Sequence, residues 1–101
     1  MRLTPHQHTV LKNAALLCFN SDAELRLFGS RVRDDAKGGD IDLLVKTSMT
    51  DNTAIAKAHL AFLTFVYAQL GEQKIDVLID YPTKQNKPAI FNVAKTEGIV
   101  L

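Results

Sequence analysis

The chain has 101 residues, 47% of them hydrophobic and 23% charged, a composition that predicts a single globular domain over 1–101 and excludes wholesale disorder. A formal net charge of +1 provides no basic footprint for direct nucleic-acid binding. The longest apolar stretch, AHLAFLTFVYAQL, is too short and too interrupted to span a bilayer. The single cysteine, Cys18, excludes an internal disulfide and predicts a reducing, cytoplasmic setting. Residues 1–19 read as helix rather than as a secretory leader, because His, Gln and Asn interrupt the apolar run.

In chain order, Thr4 is placed to cap a helix, with Pro5 at its first position and Gln7 as the capping-box partner. Val10, Leu11, Ala14, Leu17 and Cys18 recur at helical spacing and predict one buried stripe. Residues 24–28, ELRLF, alternate as a strand that runs into a Gly29-Ser30 turn. Residues 31–36 predict a short helix, stopped by Gly38-Gly39, before a second strand over 40–46. Ser48, Thr50 or Asp51 caps a long helix that ends near Leu70, with Gly71 as its stop. A third strand follows over 74–80, closed by Tyr81-Pro82. Residues 88–98 predict a last helix stopped by Gly98, and the final Ile-Val-Leu a short tail. Helices interleaved with three or four strands give an α/β (α+β) domain, a small mixed sheet flanked by helices.

The long helix is apolar on most sides. Ile55, Ala58, Phe62, Phe65 and Val66 form one stripe, while Leu60, Ala61, Leu63, Tyr67 and Leu70 carry apolar surface around the cylinder. Such a helix calls for burial on more than one side. Either a partner subunit or the first and last helices can supply the second cover.

The chemistry concentrates in FGSRVRDDAKGGDIDLLV, residues 28–45. Side chains alternate along a strand, so Asp40 and Asp42 point one way while Ile41, Leu43 and Val45 point the other. Two carboxylates so spaced can converge on one or two divalent cations. The third strand repeats the parity, with Ile75, Val77 and Ile79 on the buried face and Asp76 and Asp80 on the opposite one. If the two strands are neighbours, Asp76 joins Asp40 and Asp42 in a cluster that like-charge repulsion makes unstable alone and that Mg²⁺ would relieve. Gly29 lets the backbone turn tightly against a ligand. Ser30 and the amides of Arg31 and Val32 then face phosphate oxygens at the start of the short helix, with Arg31 or Arg33 in reach. Asp80, just before Tyr81-Pro82, reads as a turn cap, Lys95 and Glu97 as a solvated helix end, and His6 and His8 as surface residues.

GSRVR followed by GGDIDLLV resembles the signature of the nucleotidyltransferase superfamily shared with DNA polymerase beta: Gly-Ser, an Arg a few residues on, then Asp-x-Asp. The length, the third acid in KIDVLI and the closing AKTEGIVL are similar to the minimal nucleotidyltransferases of MNT/HEPN toxin–antitoxin pairs. The resemblance runs over nearly the whole chain, with residues 28–45 its diagnostic part. It implies a polymerase beta-like fold, Gly29, Ser30 and Arg33 at the triphosphate, and Asp40, Asp42 and Asp76 as metal-binding catalytic acids. Gly39 stands where the family often has Ser and Asp34 where it often has Gly; neither change deletes a ligand. The implied activity is Mg²⁺-dependent transfer of AMP from ATP to a hydroxyl of a HEPN-family toxin, in a hetero-oligomer whose other chain provides the acceptor. The alternatives are an antitoxin that acts by binding alone, and an adenylyltransferase for a small molecule or RNA end with a separate acceptor-binding chain.

Overall fold

The computed structural model describes residues 1–32 and 40–101. Along the chain run α1 (Pro5–Cys18), β1 (Glu24–Phe28), one turn of 3-10 helix (Gly29–Val32), β2 (Ile41–Lys46), α2 (Asn52–Leu70), β3 (Ile75–Asp80), α3 (Ala89–Glu97) and β4 (Ile99–Val100).

Both long helices begin on the side chains their sequences offer. The Gln7 amide donates to Thr4 Oγ1 at 3.0 Å and the Thr4 amide to Gln7 Oε1 at 2.9 Å, closing the capping box of α1. Of the three candidate caps for α2 it is Asp51 that serves, its Oδ1 accepting from the amides of Thr53 and Ala54. Ser48 instead donates to the Asp22 carboxylate at 3.1 Å. Gly71 stops α2 with φ 78°, a backbone conformation that glycine tolerates.

The sheet has the order β3-β2-β1-β4. β2 and β3 are parallel, joined by the α2 crossover, and the other two pairs are antiparallel. The expected tail is the fourth strand. Ile99 and Val100 pair with β1, the Leu101 amide donates to Leu25 O at 2.9 Å, and the Leu101 side chain is buried.

α1 and α2 cover one face, burying Leu11, Ala14, Phe62 and Val66 against Leu25, Leu27, Ile41, Leu43 and Val45. Phe62 is fully buried, 6.0 Å from the Phe19 ring, and its truncation to alanine is expected to cost about 3–5 kcal/mol. The stripe of α1 differs from expectation at one position: Leu17 is 73% exposed. At about 100° per residue it lies about 120° around the helix from Leu11, outside the buried arc that Ala15 completes.

α3 sits on the opposite face, where Phe91 and Ala94 bury Phe28 and Leu44 with Leu78 beside them. It therefore cannot cover α2. α1 covers one side of that helix, and Leu60, on the far side from Phe62, remains 66% exposed. Among the described residues no helix is long and apolar enough to cross a membrane.

Candidate active site

The alternation of β2 sorts its residues between the two layers. Ile41, Leu43 and Val45 are buried under α1 and α2, while Asp42 and Leu44 lie on the α3 side. Asp42 is in direct parallel register with Asp76 of β3, so the two carboxylates sit side by side on adjacent strands, about 4.8 Å apart at the backbone. On its other flank Asp42 is paired with Phe28, the last residue of β1, and the chain turns at Gly29 immediately beyond. Gly29 has φ 76°, and a Cβ there would run into Asp42 Oδ2. Glycine is thus required twice over, by the backbone conformation and by the closeness of the carboxylate.

Like charges directly opposite one another on a sheet repel. The consequence falls on Asp42, whose pKa is raised above the ordinary carboxylate value of 3.8. Burial contributes most, followed by the negative charges of Asp76 and Asp40 and a side-chain hydrogen bond with Asp76, while the Lys74 ammonium partly offsets them. Asp40, one residue before β2, is engaged by Lys74 Nζ at 3.3 Å in an exposed ion pair. Such pairs contribute little and are readily given up, about 0–1 kcal/mol.

These residues suit a hard divalent cation. A repelling carboxylate pair, Asp42 half-buried and Asp76 exposed, gains from any cation placed between its oxygens. Mg²⁺ usually takes one or two carboxylates and completes its shell with water and substrate phosphates. Among the described residues no three His, Cys, Asp or Glu side chains meet as a preformed cage. Asp42 and Asp76 would hold the ion, with Asp40 free to join on leaving Lys74. Beside them Gly29, Ser30, Val32 and Glu97 line a cavity of about 470 Å³, within the range of small-ligand sites.

Of the site residues expected from sequence, the fold brings Gly29, Asp42 and Asp76 together, sets Ser30 in the cavity wall and leaves Asp40 at the margin beside Lys74. Arg33 lies outside the described residues, as do Asp34 and Gly39. The short helix expected over 31–36 is, as far as it is described, a single 3-10 turn beginning at Gly29, too short to present a substantial dipole. Its contribution to phosphate binding is then close backbone approach. Glu97 is exposed, as expected, and also lines the cavity.

Asp80 also departs from expectation. Rather than capping a turn it is 4% exposed and accepts from Lys87 Nζ at 2.8 Å and Lys95 Nζ at 2.9 Å. Lys95, though exposed as expected, thus also anchors α3 to the sheet. A sequence signal for this pairing existed only in part: Asp80 shares its face parity with Asp76, but the return of α3 over that face decides its partners. A further contact without a sequence signal is made by Arg2, which reaches the 3-10 turn.

A four-stranded mixed sheet, with a glycine turn leading out of one strand onto an aspartate of the next, defines a nucleotidyltransferase architecture. Residues 12–99 match the nucleotidyltransferase domain family, and the chain belongs to it. At 101 residues it is consistent with a minimal nucleotidyltransferase of the polymerase beta-like superfamily. No curated protein matches the chain.

Proposed function

We propose that the chain moves AMP from ATP to a hydroxyl of a protein partner, and that this partner is a HEPN-family RNase toxin silenced by the modification. The chain would then be the antitoxin of a cytoplasmic pair. The observation that carries the reading is the opposed Asp42–Asp76 pair beneath the Gly29 turn. When bound, Mg²⁺ would neutralise the triphosphate charge as the acceptor hydroxyl oxygen bonds to the α-phosphorus, the α,β-phosphoanhydride bond breaks and pyrophosphate leaves. Asp42 and Asp76 hold and orient that charge. The Gly29 backbone and Ser30 receive the triphosphate, the missing Cβ allowing close approach. Asp76, the more exposed of the pair, would be the carboxylate that accepts the proton of the acceptor hydroxyl.

The resemblance to MNT proteins points to a protein acceptor, and Leu17 and Leu60, 73% and 66% exposed, supply apolar surface for an interface. A binding-only antitoxin is disfavoured because Asp42 and Asp76 repel one another at a cost that an idle site has no reason to carry.

The test incubates the chain with α-labelled ATP, Mg²⁺ and the product of the adjacent gene. Label is expected on that partner and is expected to vanish with Asp42→Asn. Full neutralisation of a toxin by Asp42→Asn would favour action by binding alone. Label appearing on RNA or a small molecule would move the acceptor to that class.

A further inference from the structure

The 3-10 turn at Gly29–Val32 is held from two sides, and only one of them belongs to the carboxylate pair. On the first side Asp42 Oδ2 occupies the place a Gly29 Cβ would need. On the second, the Arg2 amide donates to Arg31 O at 2.7 Å and Arg2 Nη2 donates to Ser30 O at 3.2 Å. Arg31 Nη1 returns a bond to Arg2 O at 2.9 Å. The clasp therefore joins segments 28 and 29 residues apart through three hydrogen bonds.

The last carbonyls of a helical turn find no partner within it. Here Arg2 satisfies those of Ser30 and Arg31, using both its backbone and its guanidinium. The next residue, Leu3, packs against the main core. The turn is in this way tied to the main core through the residue next to Arg2.

We infer that Arg2 is a positioning residue for nucleotide binding: its clasp fixes the Gly29-Ser30 backbone at a set distance from Asp42, so that the triphosphate meets a preformed turn. This rests on the reading of the turn as the triphosphate site. Arg2 acts through Ser30 and Arg31 and is not itself assigned a phosphate contact. Among the described residues its side chain provides one of these three bonds, and the two made by its backbone survive most substitutions. Arginine suits the place because its planar fork holds an oriented donor where lysine offers a mobile one.

The experiment measures binding of magnesium with α,β-methylene-ATP, by calorimetry, to the wild type, Arg2→Ala, Arg2→Lys and Thr4→Ala. Amide hydrogen exchange at Ser30–Val32 is followed without nucleotide in the same proteins. Arg2→Ala is expected to raise Kd at least about threefold, since at least the bond to Ser30 is lost, and to speed exchange in the turn. Arg2→Lys recovers part of the affinity. Thr4→Ala lowers the melting temperature through α1 and leaves Kd unchanged. The inference is overturned if Arg2→Ala binds as the wild type does, or if Thr4→Ala loses affinity in the same proportion as melting temperature. Failure of the wild type to bind nucleotide would overturn the functional reading and with it the role assigned to Arg2. Unchanged exchange in Arg2→Ala would refute the clasp separately, whatever the nucleotide does.

Discussion

Asp76 and Asp80 lie on one strand, four residues apart, and point to the same face of the sheet, yet their surroundings are opposite. Asp76 faces Asp42, and among the described residues the exposed Lys74 is the cation that offsets the charge on Asp42. Asp80 is buried and carries two ammonium groups within 2.9 Å. Burial alone would raise its pKa, but the hydrogen bonds and charges of Lys87 and Lys95 outweigh burial and hold it below 3.8. Asp42 is shifted the other way, upward, by burial and by its acidic neighbours. The contrast separates two uses of a carboxylate. A neutralised one fastens a helix to the sheet, and a mutually repelling pair is suited to a bound cation.

The largest expected effect breaks the acidic end. Asp42→Asn should reduce nucleotidyl transfer by at least about a hundredfold, since a group that acts on the transition-state charge is lost. The fold should remain as stable or become slightly more so, because a repulsion has gone. Transfer assays and thermal melts on the same preparation check both halves.

At the other end the signs reverse. Asp80→Asn should destabilise the chain by about 2–4 kcal/mol, near the lower part of the range for breaking a buried pair because both lysines are partly exposed. α3 is the element to loosen: it starts at Pro88 without a side-chain cap and buries only Phe91 and Ala94. Denaturant unfolding measures the loss. Nucleotide affinity, in contrast, should be little changed.

Gly29→Ala probes the boundary between the regions. Alanine at φ 76° is strained, and its methyl must displace the Asp42 carboxylate. A loss of about 1–3 kcal/mol in stability is expected, accompanied by a loss of nucleotide binding that Asp80→Asn does not share.

The smallest effect is a pair of opposite pH slopes. The folded-state pKa of Asp42 lies above 3.8, so within the window from 3.8 up to that raised value the folded chain binds the extra proton and stability falls as pH rises. The folded-state pKa of Asp80 lies below 3.8, so its contribution is complete above 3.8 and is lost as pH falls through the depressed value. Melting curves between about pH 2 and 6 should lose the first slope in Asp42→Asn and the second in Asp80→Asn. Saturating Mg²⁺ should flatten the first slope alone.

Much of this was legible in the sequence because it rests on local chemistry. The Thr4-Pro5-Gln7 cap, the Gly71 stop and the inside-out parity of Asp42 and Asp76 each follow from a few adjacent residues. Leu17 is exposed despite its helical spacing because it lies well off the axis of the buried stripe, where exposure begins. Ile99–Val100 could not be recognised as a strand, since two residues have no period and pairing with β1 alone defines them. Asp80 and Arg2 were misread or missed for a common reason. Their partners, Lys87, Lys95, Ser30 and Arg31, are decided by how α3 and the amino-terminal segment return to the sheet, and no local pattern records that.

The central claim is that the Asp42–Asp76 pair is uncompensated until a cation and a triphosphate arrive. Calorimetric titration of magnesium with a non-hydrolysable ATP analogue into wild type, Asp42→Asn and Asp80→Asn, with the partner protein present, tests it most directly. The account predicts saturable binding by the wild type and by folded Asp80→Asn, and none by Asp42→Asn at the same concentrations. Equal binding by wild type and Asp42→Asn would contradict it.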